Sequence, residues 1–129
     1  MARILVVDDE PEIVSMLEIA LGDAHMVHGA NSGRAGLRML KSQVFDLVIT
    51  DIFMPEVDGF EIIMHANTMH PRPHVIAMFG YSGMLKLDCM SDVAAALGVQ
   101  HMLYKPFTVN ELLETVCRYE NEDGEANGV

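Results

Sequence analysis

Asp46-Leu-Val-Ile-Thr-Asp51-Ile-Phe-Met-Pro55 decides the fold of this chain. Leu47 to Thr50 is too short for a helix and is bounded by polar residues and a proline, so it reads as a buried parallel strand. Asp51 then sits at the strand's carboxyl end, on the edge of an open α/β sheet where the connecting loops splay into a crevice. Ile4 to Val7 is a second short apolar run, and it also ends in acid, at Asp8, Asp9 and Glu10. Two strands thus deliver three aspartates to one edge.

Working outward, runs of strand length alternate with amphipathic stretches of helix length. The further strands expected are Met26 to His28, Val75 to Met78 and His101 to Tyr104. Helices are expected over Pro11 to Leu21, Ser32 to Ser42, Gly59 to Asn67, Met84 to Leu97 and Thr108 to Tyr119. In the last, Val109, Leu112, Leu113, Val116 and Cys117 follow helical spacing, and Thr108 with Glu111 forms a capping box. Pro11 is pre-set for the opening turn of the first helix, with Ile13, Leu17, Ala20 and Leu21 as its buried face, and Gly98 is placed to end the fourth in a left-handed conformation. Five strand–helix units imply a doubly wound, five-stranded parallel sheet. The order 2-1-3-4-5 common to such sheets sets strands one and three side by side and makes Asp8, Asp9 and Asp51 neighbours. Residues 1–119 form the domain; 120–129 turn acidic with no apolar period, which predicts a flexible tail.

The 129 residues suffice for one core, and half of them are hydrophobic. A net charge of -11 argues against a nucleic-acid partner, because no basic stripe can displace phosphate counterions. Met1-Ala-Arg-Ile lacks the apolar stretch of a signal peptide, and no run approaches the roughly 20 apolar residues of a membrane span. A cytoplasmic protein with no membrane contact is expected. Cys89 and Cys117 fall in helical segments and read as buried, reduced thiols. The histidines do not come with ligand sets, and the eleven methionines read as adaptable core filler.

Three carboxylates in one crevice repel unless a cation neutralises them. Mg²⁺ suits the set, since it takes one or two carboxylates and keeps positions for water and a phosphate oxygen. An aspartate beside such a cation can act as a nucleophile toward phosphorus and form an acyl phosphate. Lys105, at the end of the fifth strand and followed by Pro106-Phe107, is placed to supply a positive charge opposite. Taken alone, Asp8 and Asp9 read as caps for the helix at Pro11, and Lys105 as a solvated strand end. Asp58-Gly59 reads as a turn into the third helix, without chemistry.

Asp8-Asp9-Glu10 after the first strand, Asp51-Ile-Phe-Met-Pro55-Glu-Val-Asp58-Gly59 after the third and Lys105-Pro106-Phe107 after the fifth together resemble the receiver domain of two-component response regulators. The resemblance runs from about Ala2 to Tyr119 and implies a flavodoxin-like (βα)5 fold. It implies that Asp51 accepts a phosphoryl group from a sensor histidine kinase or a histidine phosphotransfer protein. By the same resemblance Asp9 and Asp51 hold Mg²⁺ directly, Asp8 holds it through water, and the backbone carbonyl of Phe53 is a further ligand. Lys105 would pair with the phosphoryl group, and its bond to Pro106 is commonly cis in the family.

Receivers usually end the fourth strand with Thr or Ser, whose hydroxyl reports phosphorylation, and carry an aromatic switch residue three positions before the lysine. Here those positions hold Phe79 and Met102, with Tyr104 directly before Lys105; Ser82 supplies a loop hydroxyl only if the register slips. The expected protein is a single-domain response regulator with atypical switch residues. It would be no turnover enzyme, but a phosphoacceptor that assists its own Mg²⁺-dependent phosphotransfer and autodephosphorylation. It would signal to an unidentified protein through the face made by the fourth helix, fifth strand and fifth helix. The alternative is a phosphorylation-independent interaction module. A phosphatase reading is weaker, because those enzymes carry a second aspartate where this chain has Phe53.

Overall fold

The computed structural model describes residues 1–80 and 87–127, with side chains at 87–91 and 122–127 outside the description. Tyr81, Ser82 and Met84 therefore lie outside the described residues, as do the side chains of Cys89 and Met90. Strands β1 (Arg3–Val7), β2 (Met26–Ala30), β3 (Leu47–Asp51), β4 (His74–Phe79) and β5 (His101–Tyr104) alternate with helices α1 (Pro11–Leu21), α2 (Gly33–Ser42), α3 (Gly59–Ala66), α4 (Leu87–Ala96) and α5 (Val109–Asn127). All strand pairs are parallel, in the order β2-β1-β3-β4-β5.

Alternation along each strand divides the apolar side chains between two layers. Leu5, Val7, Val48 and Ala77 face one way and meet Leu40 of α2, Ile62 and Ile63 of α3 and Ala94 of α4. Ile4, Val6, Ile49, Ile76 and Leu103 face the other and meet Leu17 and Leu21 of α1 and Leu112 and Val116 of α5. With both faces covered, β3 carries no polar residue until Thr50 and Asp51.

Local capping follows the side chains present. Ser32 accepts from Ala35 N–H at 3.1 Å and Thr108 from Glu111 N–H at 3.1 Å. Gly98 ends the α4 segment at φ 81°, as expected from its position. At the start of α1 the cap position is Glu10, without a side-chain cap, so neither Asp8 nor Asp9 is spent on capping. Val14 replaces Ile13 and Ala20 on that helix's buried face, since Ile13 and Ala20 lie at the margin of the layer.

Helix α5 departs from the expected pattern in two ways. Its apolar positions form two stripes, of which only Leu112, Val116 and Tyr119 are buried. Val109, Leu113 and Cys117 are exposed, so the expectation of a buried Cys117 thiol is corrected: the neighbouring α1 covers only part of the helix. The helix also continues past Tyr119 to Asn127, through Gly124.

At the sheet's amino-terminal edge, His25 joins three segments. Its Nδ1 accepts from Ala2 N–H at 3.0 Å, and its Nε2 lies 2.7 Å from Glu120 Oε1 on α5. At the opposite edge, Asp58 caps α3 by accepting from Glu61 N–H at 3.0 Å, and Gly59 N–H donates to Ile52 O at 2.8 Å. A Cβ on Gly59 would lie 2.2 Å from the Asp51 carbonyl oxygen and 2.7 Å from Ile52 Cα. The glycine is therefore required by close approach of α3 to the end of β3. Gly59→Ala is expected to lower stability by about 1–3 kcal/mol in urea unfolding. An unchanged midpoint would show that the loop yields freely.

Candidate functional site

Each carboxylate reaches the crevice from a different backbone position. Asp8 follows β1, and its N–H extends the ladder to Ala30 O at 3.2 Å; the side chain is fully buried, with Oδ1 accepting from Glu10 N–H at 2.9 Å. Asp51 is the last residue of β3, 4% exposed, and its Oδ1 accepts from Ile52 N–H at 3.0 Å. Asp9 stands exposed at the mouth. Oxygens of all three lie within 4.8 Å of one another. Among the described residues this is the one such cluster of potential metal ligands.

Lys105 enters from the far side of the sheet. Its Nζ is 2.6 Å from Asp8 Oδ2, 3.5 Å from Asp51 Oδ2 and 3.6 Å from Glu10 Oε1. The peptide bond to Pro106 is cis. Of the three carboxylates, that of Asp8 is nearest to the lysine.

Burial pushes the Asp51 carboxyl up to about 6, with the Asp8 charge adding to the effect and Lys105 opposing it. Burial also raises Asp8, against the hydrogen bond and charge of Lys105. For Lys105, burial works against the ammonium, but the hydrogen bond to Asp8 and the charges on Asp51, Asp8 and Glu10 outweigh it and raise the pKa. One partly buried cation thus faces an excess of negative charge. Hard oxygen donors around a negative cavity fit Mg²⁺, whereas the set is too small for the six to eight oxygens of Ca²⁺.

The remaining expected positions are distributed around this centre. Phe53 lies two residues beyond Asp51 and is exposed. Phe79 ends β4 and is buried, while Met102, in β5, is only partly so. The stretch 81–86 containing Ser82 is outside the described residues. Two features were not anticipated: the Glu10 contact to Lys105, and the stacking of Phe79 on Tyr104 with ring centroids 5.7 Å apart and planes at 25°. The acidic triplet hinted at the first. No motif signals the second, because it depends on β4–β5 register.

The doubly wound sheet thus gathers acidic strand ends and an opposing lysine at one edge of an α/β module. A family model described as the response regulator receiver domain matches residues 4–117, and the chain belongs to that family. It is 30% identical over 127 residues to the response regulator protein PilR of Pseudomonas aeruginosa, covering 95% of this chain and 28% of the relative. With the transcriptional regulatory protein ZraR of Klebsiella oxytoca it shares 39% identity over 114 residues, 88% of this chain and 25% of the relative. The chain thus spans about a quarter of the length of these curated relatives. A receiver domain protein from Clostridium thermocellum superposes with a TM-score of 0.83 at 29% identity, covering 98% of this chain and 99% of the other. Receiver domains generally bind Mg²⁺ at an acidic pocket and interact with histidine kinases or phosphotransfer proteins.

Proposed function

We propose that the chain is a response regulator receiver that accepts a phosphoryl group on Asp51 from a phosphohistidine of a sensor kinase or phosphotransfer protein. The observation that carries this is the buried Asp51 carboxylate with Lys105 Nζ at 3.5 Å and two further aspartates beside it. In the transfer, Asp51 Oδ attacks phosphorus, the P–N bond to the donor imidazole breaks, and the acyl phosphate remains on Asp51 while the imidazole takes up a proton. Lys105 faces the incoming charge. Asp9, Asp51 and the Phe53 carbonyl, with Asp8 through water, would hold Mg²⁺, which when bound supplies positive charge against the phosphoryl oxygens.

A protein donor is favoured by the surface next to the crevice. A cavity of about 420 Å³ lined by Glu10, Met16, Gly80, Lys105 and Phe107 opens beside the lysine. It shares Met16 with a separate apolar groove of about 640 Å³ formed by Pro11, Ile19, Ala20 and Val109, where Ile19 is 80% exposed. The acyl phosphate would be removed by water within the same pocket, making the chain a self-assisting phosphoacceptor without turnover of a separate substrate. Signalling would proceed by contact through the α4, β5 and α5 face in the cytoplasm, without nucleic acid. Among the described residues no helix is long and apolar enough to cross a membrane.

The second reading, a phosphorylation-independent interaction module, is favoured by Phe79, which offers no hydroxyl at the end of β4. Acetyl phosphate with Mg²⁺ distinguishes them. Intact-mass measurement is expected to find one phosphoryl adduct on the parent protein and none on Asp51→Asn. Absence of an Asp51-dependent adduct, together with no response to beryllofluoride, favours the second reading.

A further inference from the structure

We propose that Phe79 is a positioning residue for Lys105, acting through Tyr104. This deepens the reading of Asp51 as a phosphoacceptor and rests on it for its consequence, though not for its geometry. Phe79 and Tyr104 are register partners at the ends of β4 and β5. Two links run from Phe79 to the lysine. Its carbonyl accepts the Lys105 N–H at 2.8 Å, and its ring stacks on the residue immediately before the lysine. The stack is closed off on the sheet side, where the Tyr104 hydroxyl meets Met102 Sδ at 3.6 Å and the Phe79 side chain is buried.

The need for such a brace follows from the span. Lys105 leaves the end of β5 yet engages Asp8 at the end of β1, with β4 and β3 between. Three strand spacings are about 14 Å, wider than a lysine side chain crosses unless its strand end leans inward. Rotation at residue 105 is amplified along the side chain, so the direction of β5's last residues sets where Nζ falls. A Ser or Thr at position 79 would keep the carbonyl link and lose the ring. The aromatic pair takes the place of a hydroxyl that reads the phosphoryl group and instead aims the cation that meets it.

Phe79→Leu and Tyr104→Leu remove the stack while keeping apolar bulk, and Tyr104→Phe restores it without the hydroxyl. In the metal-free parent protein, the two Lys105 Hε protons are expected at resolved NMR shifts, reflecting a fixed side chain. In both leucine variants they should merge and move toward the free-lysine position. Beryllofluoride affinity should fall about fivefold, in line with the loss of one aromatic pair, while Mg²⁺ affinity measured separately changes less than about twofold. Tyr104→Phe should match the parent in all three measurements. Leucine variants with lowered thermal midpoints, unchanged Lys105 resonances and unchanged beryllofluoride affinity would overturn the proposal and leave the stack as core packing alone. A parent protein that takes up no beryllofluoride would instead defeat the phosphoacceptor reading, and the Lys105 resonances would still decide the positioning role.

Discussion

Lys105→Met is expected to destabilise the protein by about 3–5 kcal/mol at pH 7.5 without divalent cation, the cost of breaking a buried ion pair by removing one partner. The lysine side chain is 11% exposed and Asp8 fully buried, so solvent does little to screen the loss. Methionine keeps the packing of the stem and removes only the charge. Asp8 and Asp51 then have no cationic partner and must either take up protons or remain buried as unpaired anions. Urea unfolding measures the loss directly. Millimolar Mg²⁺ should recover much of it, because an added cation stabilises the folded state by binding it and no longer competes with an ammonium for Asp8. A loss below about 1 kcal/mol would place the lysine head group in effectively aqueous surroundings.

Asp51→Asn should act in the opposite direction. A carboxyl that titrates at 3.8 in the unfolded chain and at about 6 in the fold makes ionisation of the folded state cost about 3 kcal/mol. Because the folded pKa is raised, the contribution of the bound proton is fully present below about pH 4 and is lost as pH rises through 6. Asparagine carries no such charge, and its amide oxygen can still accept from Ile52 N–H as Asp51 Oδ1 does. The variant should therefore exceed the parent in stability by about 3 kcal/mol above pH 6 and converge with it near pH 4. Mg²⁺ should narrow the difference at neutral pH, since it favours the ionised carboxylate. Parallel stability curves between pH 4 and 8 would show that the folded protein does not raise the Asp51 pKa.

Both effects arise from residues that the sequence identifies by position. Asp51 ends a run that reads as a buried strand and Lys105 follows a shorter run that forms the partly exposed edge strand β5, and the parallel arrangement brings strand ends to one edge. The acidic cluster is legible once the strand order common to five-unit doubly wound sheets is adopted. What escaped sequence reading depends on lateral relations between elements. The Phe79–Tyr104 stack exists because β4 and β5 pair in one register, and a shift of one residue would turn either ring to the other layer. Likewise, helical spacing marks Val109, Leu113 and Cys117 as apolar without revealing that α1 leaves them uncovered. Glu10 is local in sequence to Asp8, but its approach to Lys105 requires the whole width from β1 to β5.

His25 lies at the amino-terminal edge, a strand length of about 17 Å from the acidic crevice. Its ring touches Ala2 and Glu120 and no group of the crevice. The imidazole thus reports on the packing of the amino-terminal edge rather than on contacts within the crevice. If its NMR signals stay constant while those of Asp8 and Lys105 move, the event is confined to the crevice; if all move together, the molecule is opening.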